Sequence, residues 1–87
     1  MLDQIKLALR YRTNTFDNEI KLYIGSCKKD LILGGANGEK LTEEDESYIA
    51  VVIAYCKWQL NFQGEGDRWG KIYQTLKTSL VLDSEYH

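Results

Sequence analysis

The stretch Ser47-Tyr-Ile-Ala-Val-Val-Ile-Ala-Tyr-Cys-Lys-Trp-Gln-Leu-Asn-Phe62 decides the fold. Twelve of its sixteen residues are apolar and Lys57 is the only charge. Read at helical spacing, Ile49, Val52, Ile53, Cys56 and Leu60 share one face, and Tyr48, Val51, Tyr55, Trp58 and Phe62 share another. A helix that is apolar nearly all round is buried on all sides. In a chain of 87 residues few other elements are available to surround it. The expectation is that one face packs in the core of the protomer and the aromatic face packs on a neighbouring subunit, because large apolar patches mark interfaces. The competing expectation is a tight four-helix bundle in which tyrosine hydroxyls reach water.

Working outward, Thr42 is predicted to cap this third helix, with Asp45 three residues on. The run Glu43-Glu44-Asp45-Glu46 crowds the first turn, where the helix dipole favours negative charge. We read it as a solvated helix start and not as a metal site. Before it, Gly34 to Leu41 is a loop with an Asn37-Gly38 turn. A second helix, capped by Asn14 or Thr15, carries Phe16, Ile20, Tyr23, Ile24, Cys27 and Leu31 as its stripe and ends at Gly34-Gly35. A first short helix carries Leu2, Ile5 and Leu9 and ends near Tyr11. On the other side, Gln63-Gly64-Glu65-Gly66 closes the third helix, and Asp67 is predicted to cap a fourth built on Trp69, Ile72, Tyr73, Leu76 and Leu80. Gly70 within it marks a close helix contact. Residues after Leu80 read as a short extended tail. The fold class is therefore all-α, one domain over residues 1–87, a small bundle of about four helices with a tail.

Composition agrees. There is no proline where average usage would give about four. Cys27 and Cys56 are too few for a disulfide scaffold; their spacing leaves one bridge open, and we read them as reduced, buried thiols. Neither a signal peptide nor a membrane span is expected, since the longest apolar run, Tyr48 to Cys56, is far short of the ~20 residues a bilayer demands.

Charge narrows function. The formal charge is −2 and the pI near 5.3, unlike the pI above ~9 of a nucleic-acid module. Residues 1–33 hold six Lys or Arg and four Asp or Glu, a net of +2. Such a weak basic face on the first two helices could line a channel that DNA traverses, without supplying the phosphate neutralisations of a tight binder. The single histidine, His87, sits at the terminal position, so no catalytic pair is expected; no zinc set and no phosphate-cradling loop is legible either. Catalytic, cofactor and metal sites are all read as none.

The segments Ile5-Lys6-Leu7-Ala8-Leu9-Arg10-Tyr11, Thr13-Asn14-Thr15-Phe16-Asp17-Asn18-Glu19-Ile20, Ala50-Val51-Val52-Ile53-Ala54-Tyr55, and Arg68-Trp69 with Tyr73-Gln74-Thr75-Leu76-Lys77 resemble the small helical head-tail connector proteins of long-tailed bacteriophages and prophages. The resemblance spans nearly the whole chain and rests on order and spacing. It implies a structural virion protein, also described as an adaptor or DNA-packaging protein, made in the host cytoplasm and placed at the head-tail interface. Such a protein forms a homo-oligomeric ring, expected to be dodecameric in the virion, under the portal protein after DNA packaging. The ring is the platform for a stopper or tail-completion protein, and DNA only passes through it. On this reading Tyr48, Val51, Tyr55, Trp58, Phe62 and Trp69 are candidate subunit-interface residues. Leu80, Val81, Leu82 and Tyr86 are candidate portal-docking residues. The alternative, of another class, is a small helical regulatory or DNA-binding module of a mobile element.

Overall fold

A computed structural model describes residues 1–87 as four α-helices with three short 3-10 turns and no strand. Helix α1 is Leu2–Leu9, α2 is Asp17–Leu33, α3 is Glu46–Gln59 and α4 is Gly66–Leu82. The 3-10 turns are Gly38–Lys40, Phe62–Gly64 and Ser84–Tyr86. The shortest dimension, 18 Å, is about two helix diameters of ~10 Å, so α3 lies one layer from solvent.

Helix α3 is the hub, packed against all three other helices. Its Tyr48, Val51, Val52, Ala54 and Cys56 are buried, meeting Ile5 and Leu9 of α1, Ile20, Cys27 and Leu31 of α2, and Tyr73 and Leu80 of α4 in one core. No charged or polar residue lies in that core. Both cysteines are free and buried, as expected of small apolar residues.

The helix ends show which residue supplies each cap. Helix α2 stops in a Schellman motif: the Ala36 amide donates to Leu31 O at 3.0 Å and the Gly35 amide to Ile32 O at 3.0 Å. That geometry needs a left-handed residue, and Gly35 takes φ +119°. At its start, neither Asn14 nor Thr15 caps α2. The helix begins at Asp17, and the corner is held by the Lys6 ammonium, which donates to Asn14 Oδ1 at 2.8 Å and pairs with Asp17 Oδ1 at 2.9 Å. A cation across the corner replaces a side-chain cap.

Helix α3 is capped by Asp45 and not by Thr42; Asp45 Oδ1 accepts from the amides of Ser47 at 2.9 Å and Tyr48 at 3.2 Å. Thr42 instead contributes its carbonyl to a turn, accepting from the Asp45 amide. Likewise Asp67 lies inside α4, whose first amide, of Gly66, donates to Asn61 Oδ1 at 2.8 Å. Asn61 and Gln63 both adopt left-handed backbone, which reverses the chain tightly enough to lay α4 back along α3.

Two glycines have opposite reasons. A Cβ on Gly66 would lie 2.7 Å from Asn61 Oδ1 and 3.1 Å from Trp58 O, whereas one on Gly25, within α2, would meet nothing within 4 Å. Gly66→Ala is expected to destabilise the fold by about 1–3 kcal/mol through overpacking and loss of the Asn61 bond. Gly25→Ala is expected to stabilise it by about 1 kcal/mol through helix propensity. Urea unfolding of both variants checks the two signs together.

Candidate functional site

The aromatic residues of α3 split between the interior and the surface. Tyr48 and Val51 belong to the core of the protomer, 3% and 2% exposed, and have no free surface to offer a second subunit. The reason is that α1, α2 and α4 together reach more of α3 than their lengths suggest. Tyr55, Trp58, Phe62 and Trp69 are half-buried. Tyr55 and Trp58 pack on each other as an aromatic wall, whereas Phe62 and Trp69 form a second group around Lys57. Helical spacing grouped Tyr48, Val51, Tyr55, Trp58 and Phe62 on one face, with Trp69 of the fourth helix added as an aromatic anchor, and spacing does not register which of them the other helices enclose.

Within the wall, Tyr55 is central. Its ring lies 5.1 Å from Tyr73, 5.7 Å from Trp58 and 6.3 Å from Tyr23, each in edge-on geometry, and Trp58 stacks on Tyr73 at 5.7 Å and 28°. Such pairs hold the rings rigid, each worth about 0.5–1.5 kcal/mol beyond area burial. Gly70 makes the close contact the sequence suggested: a Cβ there would stand 3.0 Å from Trp58 Nε1. Further along, the Lys57 ammonium lies 4.3 Å from the Trp69 ring centroid and 4.7 Å from that of Phe62. The single charge of the apolar stretch is thus accommodated by two π faces. Burial, with a smaller contribution from Arg10, lowers the pKa of Lys57. The indole Nε1 of Trp69 is enclosed without an acceptor.

Beside Tyr55 and Trp58 a groove of about 360 Å³ opens between α2 and α4, lined also by Lys29, Asp30, Leu33 and Lys77. Asp30 Oδ2 accepts from the Tyr73 hydroxyl at 2.5 Å and pairs with Lys77 Nζ at 2.9 Å. This clamp ties α2 to α4. Burial pushes the Asp30 carboxyl up, but the Tyr73 hydroxyl and the Lys77 ammonium outweigh it and hold the pKa below the ordinary value. Sequence inspection missed it; Tyr73 and Lys77 stand at i,i+4, but nothing in one chain points that pair at Asp30.

The C-terminal residues do not form an extended tail. Ser84–Tyr86 is a 3-10 turn, and Tyr86 is buried with its hydroxyl donating to Asp45 Oδ1 at 2.9 Å. The Asn37 amide donates to Tyr86 O at 2.6 Å, and His87 Nε2 donates to Val81 O at 2.9 Å. One bulky ring at the end of an alternating segment found an apolar seat between α3 and α4, and the α3 cap supplied its polar partner. Of the four residues expected on a docking tail, Leu80 and Tyr86 are therefore core residues, Val81 is half-buried, and Leu82 is 75% exposed.

Neither cysteine is poised as a nucleophile. Burial pushes the Cys27 and Cys56 thiols up to about 12, so both are protonated at neutral pH. At pH 8 neither thiol is expected to react with a thiol reagent until the protein unfolds, when both should. For Asp30 the sign follows from its lowered pKa: the clamp contributes fully above the unfolded carboxyl pKa near 3.8 and is lost as pH falls through the lower folded value. Asp30→Asn is expected to lower stability at pH 7 and to flatten the loss of stability below about pH 4, read by urea midpoints across pH.

The geometry is that of a rigid helical body with an aromatic wall and an acid-clamped groove. A family model described as phage connector protein matches residues 1–87. No curated protein and no solved structure matches the chain. Four helices in the expected order, apolar spacing across the full length and a match that leaves no residue outside it lead to one conclusion: the chain belongs to the phage connector protein family, whose members are structural components of the virion.

Proposed function

We propose that this protein is a head-tail connector, or adaptor, that forms a ring beneath the portal protein after DNA packaging and carries the stopper or tail-completion protein. The observation that carries the reading is the family match over residues 1–87. The half-buried aromatic wall supports it, because aromatic side chains at a surface supply most interface energy. Tyr55, Trp58, Phe62 and Trp69 are the subunit-contact residues on this reading, with the Trp69 indole close to the boundary. Tyr48 and Val51 stiffen the helix that presents them.

Portal docking falls to Val81 and Leu82. Leu80 and Tyr86 act behind them, fixing the end of α4 so that Leu82 stands out from a rigid surface. A ring of twelve copies, matched to the portal, is the oligomer proposed for the virion, at the head-tail interface. No helix is long and apolar enough to cross a membrane.

Co-sedimentation with DNA-filled, tailless heads of the same phage tests this function. Saturable binding at a stoichiometry set by the portal is expected, with none to naked duplex at a physiological ionic strength of about 0.15 M. Binding to the duplex alone under those conditions would favour a DNA-binding module instead. Phe62→Ser is expected to lower the stoichiometry on heads at least tenfold while leaving helicity by circular dichroism unchanged, since Phe62 is half-buried on a 3-10 turn outside the core.

A further inference from the structure

At the C-terminal end of α1 the side chains of Lys6, Leu7, Arg10, Tyr11 and Arg12 line one depression. No carboxylate lines it. Neither arginine has an ion-pair partner; the four salt bridges of the protein use Lys6, Lys77, Arg68 and the terminal amine. Lys6 is already matched to Asp17, so Arg10 and Arg12 carry uncompensated charge. Lys57 adds to it, since Arg10 lies close enough to disfavour the Lys57 ammonium. Cations near a helix C-terminus stabilise its dipole, which accounts for Lys6. It does not account for Arg12, which lies beyond the helix, nor for gathering like charge on a protein whose net charge is −2.

The depression is also built to stay in place. Arg10 occupies the left-handed region at φ 61°, uncommon for a residue other than glycine, with its amide donating to Leu7 O at 3.1 Å. The Tyr11 amide donates to Lys6 O at 2.9 Å, and the Tyr11 ring packs 5.1 Å from Phe16. Leu7, at the rim, is 81% exposed. A fixed backbone therefore presents two unpaired guanidinium groups, each able to donate in a fork that matches a phosphate.

We infer that the depression formed by Lys6, Arg10 and Arg12 is where each protomer touches the phosphodiester backbone of DNA passing through the connector. The inference rests on the connector reading for the presence of DNA, but the contact itself belongs to the single chain. Two unpaired cations give a weak contact in one copy, repeated around a ring. Weakness suits a polymer that must slide, and an acidic overall charge keeps the rest of the surface from gripping it.

The test uses the full chain, labelled for nuclear magnetic resonance and titrated with a short duplex at low salt. Shifts are expected to centre on Leu7, Arg10, Tyr11 and Arg12. Neutralising two phosphates gives a slope of about −1.8 in log K against log salt, so affinity should fall about tenfold between about 50 and 200 mM salt. The double variant Arg10→Asn, Arg12→Gln should lose the contact, with Asn chosen because it tolerates the left-handed backbone. Lys28→Gln with Lys29→Gln on α2 should keep it. Shifts spread evenly over the lysines, or absent at low salt, would overturn the inference, and intact binding of the wild-type protein to DNA-filled heads would show that the connector reading survives. Loss of head binding by the arginine variant would also overturn it, assigning the depression to an acidic protein segment such as Glu43 to Glu46 of a second copy.

Discussion

The constraint on which the structure depends is that α3 is apolar nearly all round and must have most of its surface covered. Covering a helix of that kind removes much of the apolar surface the chain possesses, at roughly 25 cal/mol per Å². The body is only two helices thick, so the cover is supplied piecemeal. Helices α1 and α2 take one flank, α4 takes another, and Tyr86 returns from the C-terminus to reach the start of α3. The aromatic wall of Tyr55 and Trp58 is left half-buried.

Polar groups then fix an arrangement that apolar burial alone would leave loose. Asp45 serves two purposes at once, capping α3 through the Ser47 and Tyr48 amides and receiving the Tyr86 hydroxyl. Asp30 joins α2 to α4 through Tyr73 and Lys77, and Lys6 holds the α1–α2 corner through Asn14 and Asp17. Each is a charged group serving a junction between two elements, outside the all-apolar core. Together they tie the wall and the groove to one helical body.

The four helices were legible because apolar spacing is local: Ile20 to Leu31 and Trp69 to Leu80 read directly as stripes, and Gly34-Gly35 ends α2 where its left-handed backbone says it should. Caps were less legible, since Thr42 and Asp45 both suit an N-cap and the local sequence does not choose between them; the chosen Asp45 also receives the hydroxyl of Tyr86, far away in sequence. The same long-range contact hid the fate of the tail. An alternating segment reads as extended when its only apolar partner lies on another helix. For the candidate interface, helical spacing found the aromatic residues but could not tell how deeply each would be buried, so Tyr48 and Val51 were grouped with Trp58 although they lie in the core.

The central proposal is that the protein is a repeated subunit at the head-tail junction, joined through its aromatic wall and the group of Phe62 and Trp69. Electron cryo-microscopy of DNA-filled heads capped with the purified protein tests it most directly. The account predicts a ring of four-helix subunits on the outer face of the portal, with Tyr55, Trp58, Phe62 and Trp69 at the boundary between neighbours. Portals left bare, or subunits seated with that wall facing solvent, would contradict it.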